Sequence, residues 1–189
     1  GKHENYMGRQ IHRWTKQYKD SETQMIPEIN ELIEWLPKNI PSDQETSIVH
    51  GDFRLDNMIF DPITHEVKAI LDWELSTLGN PIADFTYHMM SWRLPAGAKG
   101  LGMMGSDLKS LNIPSESEYA ELYYKKTGRE KIDNWDFYMA YNIFRLAGIA
   151  QGIVGRVRDG TASSSEAKNY EAFVPILGKL GWSIVEGIK

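Results

Sequence analysis

The segment from residue 50 to residue 57, HGDFRLDN, carries side chains that suit phosphoryl transfer. Asp52 supplies a carboxylate that can accept or orient the proton of an attacking hydroxyl group, and Asn57 follows five positions later. Fifteen residues after Asn57, Asp72 ends a short apolar run. A carboxamide and a second carboxylate can hold Mg²⁺ against nucleotide phosphates, because Mg²⁺ prefers oxygen ligands and retains several waters. We therefore interpret Asp52 as catalytic and Asn57 and Asp72 as metal ligands.

Three neighbouring side chains are candidates for supporting roles. Glu74 lies two positions after Asp72 and can contact the metal if the strand continues, although an exposed surface glutamate fits the same pattern. His50 is expected to support the loop by hydrogen bonding from a partly buried position rather than to act as the base. Arg54 can contact a phosphate or a substrate carboxylate, or it can simply be solvated.

Each of the three main assignments has a structural alternative. Asp52 can hydrogen-bond its own backbone, as aspartates in turns often do. Asn57 can hold the loop closed through its side chain, a role that is compatible with metal binding, and Asp72 can cap the turn that follows it. Because the three residues occur in register, the catalytic interpretation is favoured.

Arg145 is a charged residue in an apolar part of the chain, between Phe144 and Leu146. It can pair with a buried acid such as Asp84, or it can meet an anionic group of the substrate. A third possibility is an arginine that extends from an apolar helix to the surface.

Short apolar runs predict the strands that position the candidate site. Residues 47–50 predict a buried strand that ends at the loop, and Gly51 permits a sharp turn there. Residues 57–60 and 67–71 predict the two strands of a β-hairpin that ends at Asp72. The strand ends therefore present the catalytic aspartate and both metal ligands to one place.

Helices are predicted on both sides of these strands. Ser115 and Asp133 are candidate caps, Gly128 is a stop signal and Pro175 predicts an interruption in the last helix. The predicted helices span about residues 5–20, 26–36, 81–92, 116–127 and 134–158, with a last helix from about Glu166.

The composition is that of an ordinary globular domain. The chain has 189 residues, of which 41% are hydrophobic and 25% charged, so it can form one domain with a substantial core. A net charge of −5 argues against a nucleic-acid partner, because phosphate backbones attract clustered lysine and arginine. No apolar run reaches the roughly 18 residues of a membrane span, and cysteine is absent, which excludes disulfides and thiolate chemistry.

Several motifs in order resemble the signature of the aminoglycoside phosphotransferase and choline kinase-like family. These are HGDxxxxN at residues 50–57, ILDWE at 70–74 and a Pro-x-x-Asp segment at 81–84. Three further motifs resemble the branch of that family found alone or fused to acyl-CoA dehydrogenases, namely WxxQY at 14–18, WLPxxIP at 35–41 and LDWELSTLGNPxAD at 71–84. The resemblance covers nearly the whole chain.

The resemblance implies an α+β fold, a protein kinase-like carboxy-terminal lobe that is mostly helical around a small β-hairpin carrying the catalytic loop. It also implies that Asp84 braces that loop. In this family an amino-terminal lobe carries the nucleotide-covering loop and a phosphate-pairing lysine. We identify neither feature before Asp52, so residues 1–189 are expected to form the carboxy-terminal lobe alone.

The resulting hypothesis is an ATP- and Mg²⁺-dependent phosphotransferase that moves the γ-phosphoryl group to the hydroxyl of a small molecule. The resemblance to the fused branch favours a hydroxyacyl compound over an aminoglycoside. We expect a cytoplasmic protein, with an organellar location also compatible, and a lobe that is inactive in isolation. A non-catalytic docking or scaffold lobe and a metal-dependent phosphoester hydrolase are the alternatives.

Overall fold

A computed structural model of the chain describes residues 5–42, 45–97, 102–161 and 169–188. Helices dominate it, and the strands form two small antiparallel sheets, as the α+β prediction requires. The helices are α1 (Tyr6–Ser21), α2 (Pro27–Trp35), α3 (Pro81–Met89), α4 (Glu116–Thr127), α5 (Trp135–Arg158) and α6 (Tyr170–Ile188). The strands are β1 (Ser47–Val49), β2 (Met58–Phe60), β3 (Val67–Ile70) and β4 (Thr77–Gly79). Short 3-10 helices span Leu36–Lys38, Leu55–Asn57, Trp73–Leu75 and Met90–Trp92.

Helix α5 lies at the centre of the core. Every residue from 137 to 148 is buried, so the helix is covered on all sides rather than along one stripe. Helices α1, α3 and α6 pack against it. An arginine and an asparagine on such a helix must find partners inside the protein, because burying an unpaired polar group is costly.

The predicted β-hairpin is confirmed. Strand β2 pairs antiparallel with β3, with Met58 opposite Ile70. Strand β1 is also present, but it pairs with β4, which was not predicted, and Val49 lies opposite Thr77. The predicted burial of residues 47–50 was right for Val49 and His50 and wrong for Ser47 and Ile48, of which Ile48 is 73% exposed. The described residues leave one face of this two-stranded sheet uncovered.

The cap signals have mixed outcomes. Asn80 caps α3 by accepting the backbone N–H groups of Ile82 and Ala83 at 2.9 and 3.0 Å. Ser115 and Gly128 bound α4 as predicted. Asp133 does not cap α5, because Asn134 is the N-cap residue and makes no capping hydrogen bond with its side chain.

The predicted break at Pro175 was also wrong. Helix α6 runs through Pro175, and Phe173, Val174 and Leu177 on either side of it are buried. Proline has no N–H group, so the helix lacks one backbone hydrogen bond at Pro175. The helix nevertheless continues, because it is stabilised by packing against α2 and α5. The predicted start near Glu166 lies outside the described residues. Among the described helices, none combines the length and the apolar character needed to cross a membrane.

Candidate active site

The loop that carries Asp52 is anchored to helix α3 by the Asp84 carboxylate. Oδ2 of Asp84 accepts the backbone N–H of His50 at 2.7 Å, and Oδ1 accepts the backbone N–H of Gly51 at 2.9 Å. Gly51 has a φ of +85°, a conformation that favours glycine. Asp84 thus lies where the resemblance places a brace for the catalytic loop.

His50 connects this loop to the end of strand β3. Its ring is buried, with Nε2 2.7 Å from the carbonyl oxygen of Leu71 and Nδ1 accepting the Asp52 backbone N–H at 3.2 Å. These partners assign the neutral tautomer that is protonated on Nε2, because the Leu71 carbonyl can only accept. Both ring nitrogens are engaged, which fits loop support better than a role as the base.

Asn57 closes the turn around Asp52. Its Nδ2 donates to the Asp52 carbonyl oxygen at 2.8 Å and to the Asp52 carboxylate at 3.2 Å. Arg54 approaches the same carboxylate, with Nε 3.4 Å from Oδ2, and its Nη1 lies 3.5 Å from a carboxylate oxygen of Asp56. The bracing alternative for Asn57 is therefore present in the geometry, and its Oδ1 is the atom that suits a metal.

Asp72 lies beside Asn57 because of the strand pairing. The backbone N–H of Leu71 donates to the carbonyl oxygen of Asn57 at 2.8 Å, and Asp72 is the next residue. Asp72 is exposed and has a φ of +62° in the left-handed region. Glu74 is exposed within the 3-10 helix Trp73–Leu75, and β3 ends at Ile70, so the strand alternation that would align Glu74 with Asp72 does not apply.

Arg145 reaches the catalytic loop from helix α5. Its Nη2 donates to the carbonyl oxygen of Gly51, and only 8% of the residue is exposed. The guanidinium lies over the Tyr87 ring, with Cζ 4.2 Å from the ring centroid, and 5.4 Å from that of Trp14. The sequence left three possibilities open for Arg145. The structure shows neither an ion pair between Arg145 and Asp84 nor an extension of its side chain to the surface.

The position of Tyr87 beside Asp52 and beneath Arg145 was not predicted from the sequence, because the apolar neighbours of Tyr87 favour a core residue. Burial raises the pKa of Tyr87, while Arg145, whose guanidinium lies over the ring, acts to lower that pKa and Asp52 acts to raise it. The available signal was spacing: Tyr87 lies three positions after Asp84, so both share one face of α3.

A cavity of about 420 Å³ opens beside Asp52. Its polar lining includes Asp52, Arg54, Tyr87, His88 and Arg145, and among the described residues that line it Asp52 is the sole carboxylate. Its apolar wall comes from α5 and α6 and includes Leu146, Ile149, Ala150, Ile153 and Phe173. A wider groove of about 1070 Å³ runs along α4, but none of the candidate site residues lines it.

The sequence model of the phosphotransferase enzyme family (APH) matches residues 1–122 of this chain, a span that contains Asp52, Asn57, Asp72 and Asp84. The chain belongs to the phosphotransferase enzyme family.

Two relatives extend this phosphotransferase match over nearly the whole chain. Acyl-CoA dehydrogenase family member 10 of Mus musculus is 46% identical over 183 residues, which cover 96% of this chain and 17% of the relative. Acyl-CoA dehydrogenase family member 11 of Homo sapiens is 39% identical over 178 residues, which cover 93% of this chain and 23% of the relative. The chain therefore spans about a fifth of the length of these relatives.

A solved structure shares the phosphotransferase fold. The crystal structure of a Ralstonia eutropha JMP134 protein, described as an aminoglycoside phosphotransferase, superposes with a TM-score of 0.94 at 50% identity. The match covers 99% of this chain and 57% of the other. The fold is thus that of a kinase-like carboxy-terminal lobe, as the sequence predicts.

The candidate site around Asp52 offers few metal ligands of its own. Among the described residues, no three His, Asp or Glu side chains lie close enough together to hold a metal ion. The donors that fit Mg²⁺ are the Asn57 carboxamide oxygen and the exposed Asp72 carboxylate, both hard oxygen ligands. This small set suits Mg²⁺ bound together with nucleotide phosphates, which supply further oxygens.

Proposed function

We propose that this chain carries the catalytic half of an ATP-dependent phosphotransferase that transfers the γ-phosphoryl group to the hydroxyl of a small molecule. The observation that supports it most directly is the Asp52 carboxylate, held by Asn57 at 3.2 Å and placed at the polar side of a cavity of about 420 Å³. A small acceptor in that cavity can present its hydroxyl to Asp52.

The role of Asp52 is to orient the acceptor hydroxyl and take its proton. As the acceptor oxygen forms its bond to the γ-phosphorus, the bond from that phosphorus to the bridging oxygen breaks, and ADP leaves with that oxygen. The transition state has little covalent demand on the protein, so positioning and electrostatics determine the rate. Arg54 lies close enough to Asp52 to contact the transferred phosphate.

The metal assignment follows the oxygen donors of the site. Asn57 and Asp72 would hold Mg²⁺; Glu74 is not part of this set, because β3 ends at Ile70 and Glu74 lies in the 3-10 helix that follows. Bound Mg²⁺ would neutralise charge on the nucleotide phosphates. Asn57 can serve both functions, because its amide nitrogen braces Asp52 while its amide oxygen remains a ligand.

We propose a hydroxyacyl compound as the acceptor. The cavity has a long apolar wall from α5 and α6 that suits an acyl chain, and its one carboxylate is a poor match to a polycationic aminoglycoside. The relatives named above are acyl-CoA dehydrogenase family members, which is consistent with acyl chemistry in the same polypeptide.

We also propose that residues 1–189 form one lobe and that a nucleotide-covering lobe completes the site in the longer protein. The chain matches 57% of the solved relative. In addition, Ile48, Ile59, Phe60 and Val67 on the strands of the two sheets expose between 42% and 73% of their surface, and a second lobe could cover this apolar surface. On this proposal the isolated lobe is inactive.

The test uses the full-length protein with ATP and Mg²⁺ and a panel of acceptors. Hydroxyacyl-CoA thioesters are compared with the same thioesters lacking the hydroxyl group and with an aminoglycoside, and ADP and phosphorylated product are measured. The proposal predicts ADP formation matched by a phosphorylated hydroxyacyl product. ADP without an acceptor would indicate a hydrolase, and no turnover with any acceptor would favour a docking lobe.

A further inference from the structure

The peptide group that precedes Asp52 is held at both ends. This group consists of the Gly51 carbonyl and the Asp52 N–H. The carbonyl accepts a hydrogen bond from Nη2 of Arg145, and the N–H donates to Nδ1 of His50 at 3.2 Å. Arg145 comes from α5 and His50 from the loop itself, so the main chain of Asp52 is fixed from two directions.

Tyr87 connects this main-chain anchor to the surroundings of the Asp52 side chain. Its ring lies under the Arg145 guanidinium, with Cζ 4.2 Å from the ring centroid. Tyr87 and Asp52 line the same cavity, and Asp52 acts to raise the pKa of Tyr87. Arg145 therefore contacts both the Gly51 carbonyl and the ring of a tyrosine that shares the cavity with Asp52.

The charge of Arg145 needs an explanation that packing does not supply. Among the ion pairs of the described residues, none involves Arg145, and its Nε is buried without a hydrogen-bond partner. A buried cation that lacks a carboxylate partner is costly, and an apolar side chain would fill the same space at a lower cost. Arg145 instead contacts the Gly51 carbonyl oxygen and the faces of two aromatic rings. These groups attract a cation more strongly than they attract an aliphatic side chain.

We propose that Arg145 and Tyr87 are a pair of positioning residues for Asp52. Arg145 fixes the main chain of the catalytic loop through the Gly51 carbonyl and packs on Tyr87, and the Tyr87 hydroxyl fixes the orientation of the Asp52 carboxylate. Neither residue needs to touch the reacting atoms. The inference rests on the proposed role of Asp52 in phosphoryl transfer.

The first test is Tyr87→Phe in the full-length protein, assayed with MgATP and a hydroxyacyl-CoA from the acceptor panel. Phenylalanine keeps the ring beneath Arg145 and removes only the hydroxyl. We expect kcat to fall about tenfold, in line with the loss of a hydrogen bond to a charged group. The KM for MgATP should stay within about twofold, because nucleotide contacts are untouched.

Tyr18→Phe is the matched control. Tyr18 is also a buried tyrosine, its hydroxyl has no hydrogen-bond partner among the described residues, and it does not line the cavity. Its kcat should equal that of the wild type. A comparable fall in kcat in both variants would assign the Tyr87 effect to general packing and overturn the proposal.

The second test replaces Arg145. Arg145→Ala should lower kcat more than Tyr87→Phe does, and added guanidinium ion, well below denaturing concentrations, should restore part of it because the side chain lines the cavity. Arg145→Lys keeps the charge without the planar fork, so its kcat should lie between wild type and Arg145→Ala. If Arg145→Ala does not fold, Arg145→Lys and Tyr87→Phe decide the question.

The outcomes separate this inference from the proposed function. Wild-type kcat in both Tyr87→Phe and Arg145→Lys, with an active wild-type enzyme, would overturn the positioning pair and leave the phosphotransferase assignment intact. A wild-type protein that phosphorylates no acceptor would overturn both. Reduced kcat with an unchanged KM for MgATP, together with guanidinium rescue, would support the pair.

Discussion

The Asp84 carboxylate accepts the backbone N–H of Gly51 at 2.9 Å, which ties the catalytic loop to helix α3. Its second oxygen accepts the N–H of His50, so one side chain satisfies two consecutive peptide groups just before Asp52. Helix α3 is in turn capped by Asn80 and packed against the buried helix α5. Through Asp84, the helical core of the domain helps to fix the position of the loop that carries Asp52.

Asp84→Asn should lower the free energy of unfolding by about 1–3 kcal/mol, because the amide can accept only one of the two N–H groups and leaves the other unsatisfied. Urea denaturation measures the change. The control is Asp61→Asn: Asp61 also accepts two backbone N–H groups, from Ile63 and Thr64, but both reach Oδ1, which asparagine keeps, so little stability should be lost. Equal effects in the two variants would mean that Asp84 has no special anchoring role.

Asp52→Ala in the full-length protein should lower kcat by at least about 10²-fold, the range expected when a general base is removed. Phosphorylated acceptor formation under saturating MgATP is the measurement. Asp56→Ala is the control, because Asp56 is an acidic residue of the same loop that is exposed and pairs only with Arg54 among the described ion pairs. Near wild-type turnover in Asp52→Ala would remove Asp52 from the catalytic role.

Much of the site could be predicted because its residues lie in short, local segments. Asp52, Asn57 and Asp72 occupy one loop and one hairpin, and hairpin signals operate over few residues. Strand β4 escaped prediction because Thr77–Gly79 has loop-like composition and pairs with the distant β1. The role of Tyr87 likewise depends on Arg145, which only the tertiary fold brings to it.

The same reasoning explains the errors in burial and helix continuity. The apolar run at residues 47–50 was taken to indicate burial, yet Ile48 is 73% exposed because the described residues leave one face of the β1–β4 sheet uncovered. Pro175 is a local signal for a break, and packing of α6 against α2 and α5 overrides it. Local propensity is a weak guide wherever tertiary contacts decide the outcome.

Asp72→Asn should weaken Mg²⁺-dependent ATP binding, because an amide oxygen is a poorer ligand for a divalent cation than a carboxylate. At a ligand concentration of 100 times Kd, binding stabilises the wild type by about 2.7 kcal/mol, so the thermal shift of the full-length protein with MgATP is a sensitive readout. Glu74→Gln, two residues away, should retain most of the shift. A wild-type Kd in Asp72→Asn would reassign this carboxylate to a structural role.

Acid should destabilise the protein partly through His88. Burial lowers the pKa of His88 below its ordinary value of 6.5. The unfolded chain therefore binds a proton more readily, and stability falls as pH decreases from above 6.5 towards the folded-state pKa. His88→Gln should reduce the loss of Tm between about pH 7.5 and about pH 5.5. The control is His12→Gln on the exposed side of α1, and the same acid sensitivity in both variants would contradict the assignment.

Gly51→Ala should damage both stability and catalysis. Gly51 has a φ of +85°, and an added Cβ would lie 2.7 Å from the Leu75 carbonyl oxygen. The backbone must shift to relieve that contact, which we expect to cost about 1–3 kcal/mol and to displace the neighbouring Asp52. Gly105→Ala is the matched control, because Gly105 has a φ of +89° with no atom within 4 Å of an added Cβ. Urea denaturation and kcat measure the two effects; a loss no larger than that of Gly105→Ala would mean that the Leu75 contact does not constrain the catalytic loop.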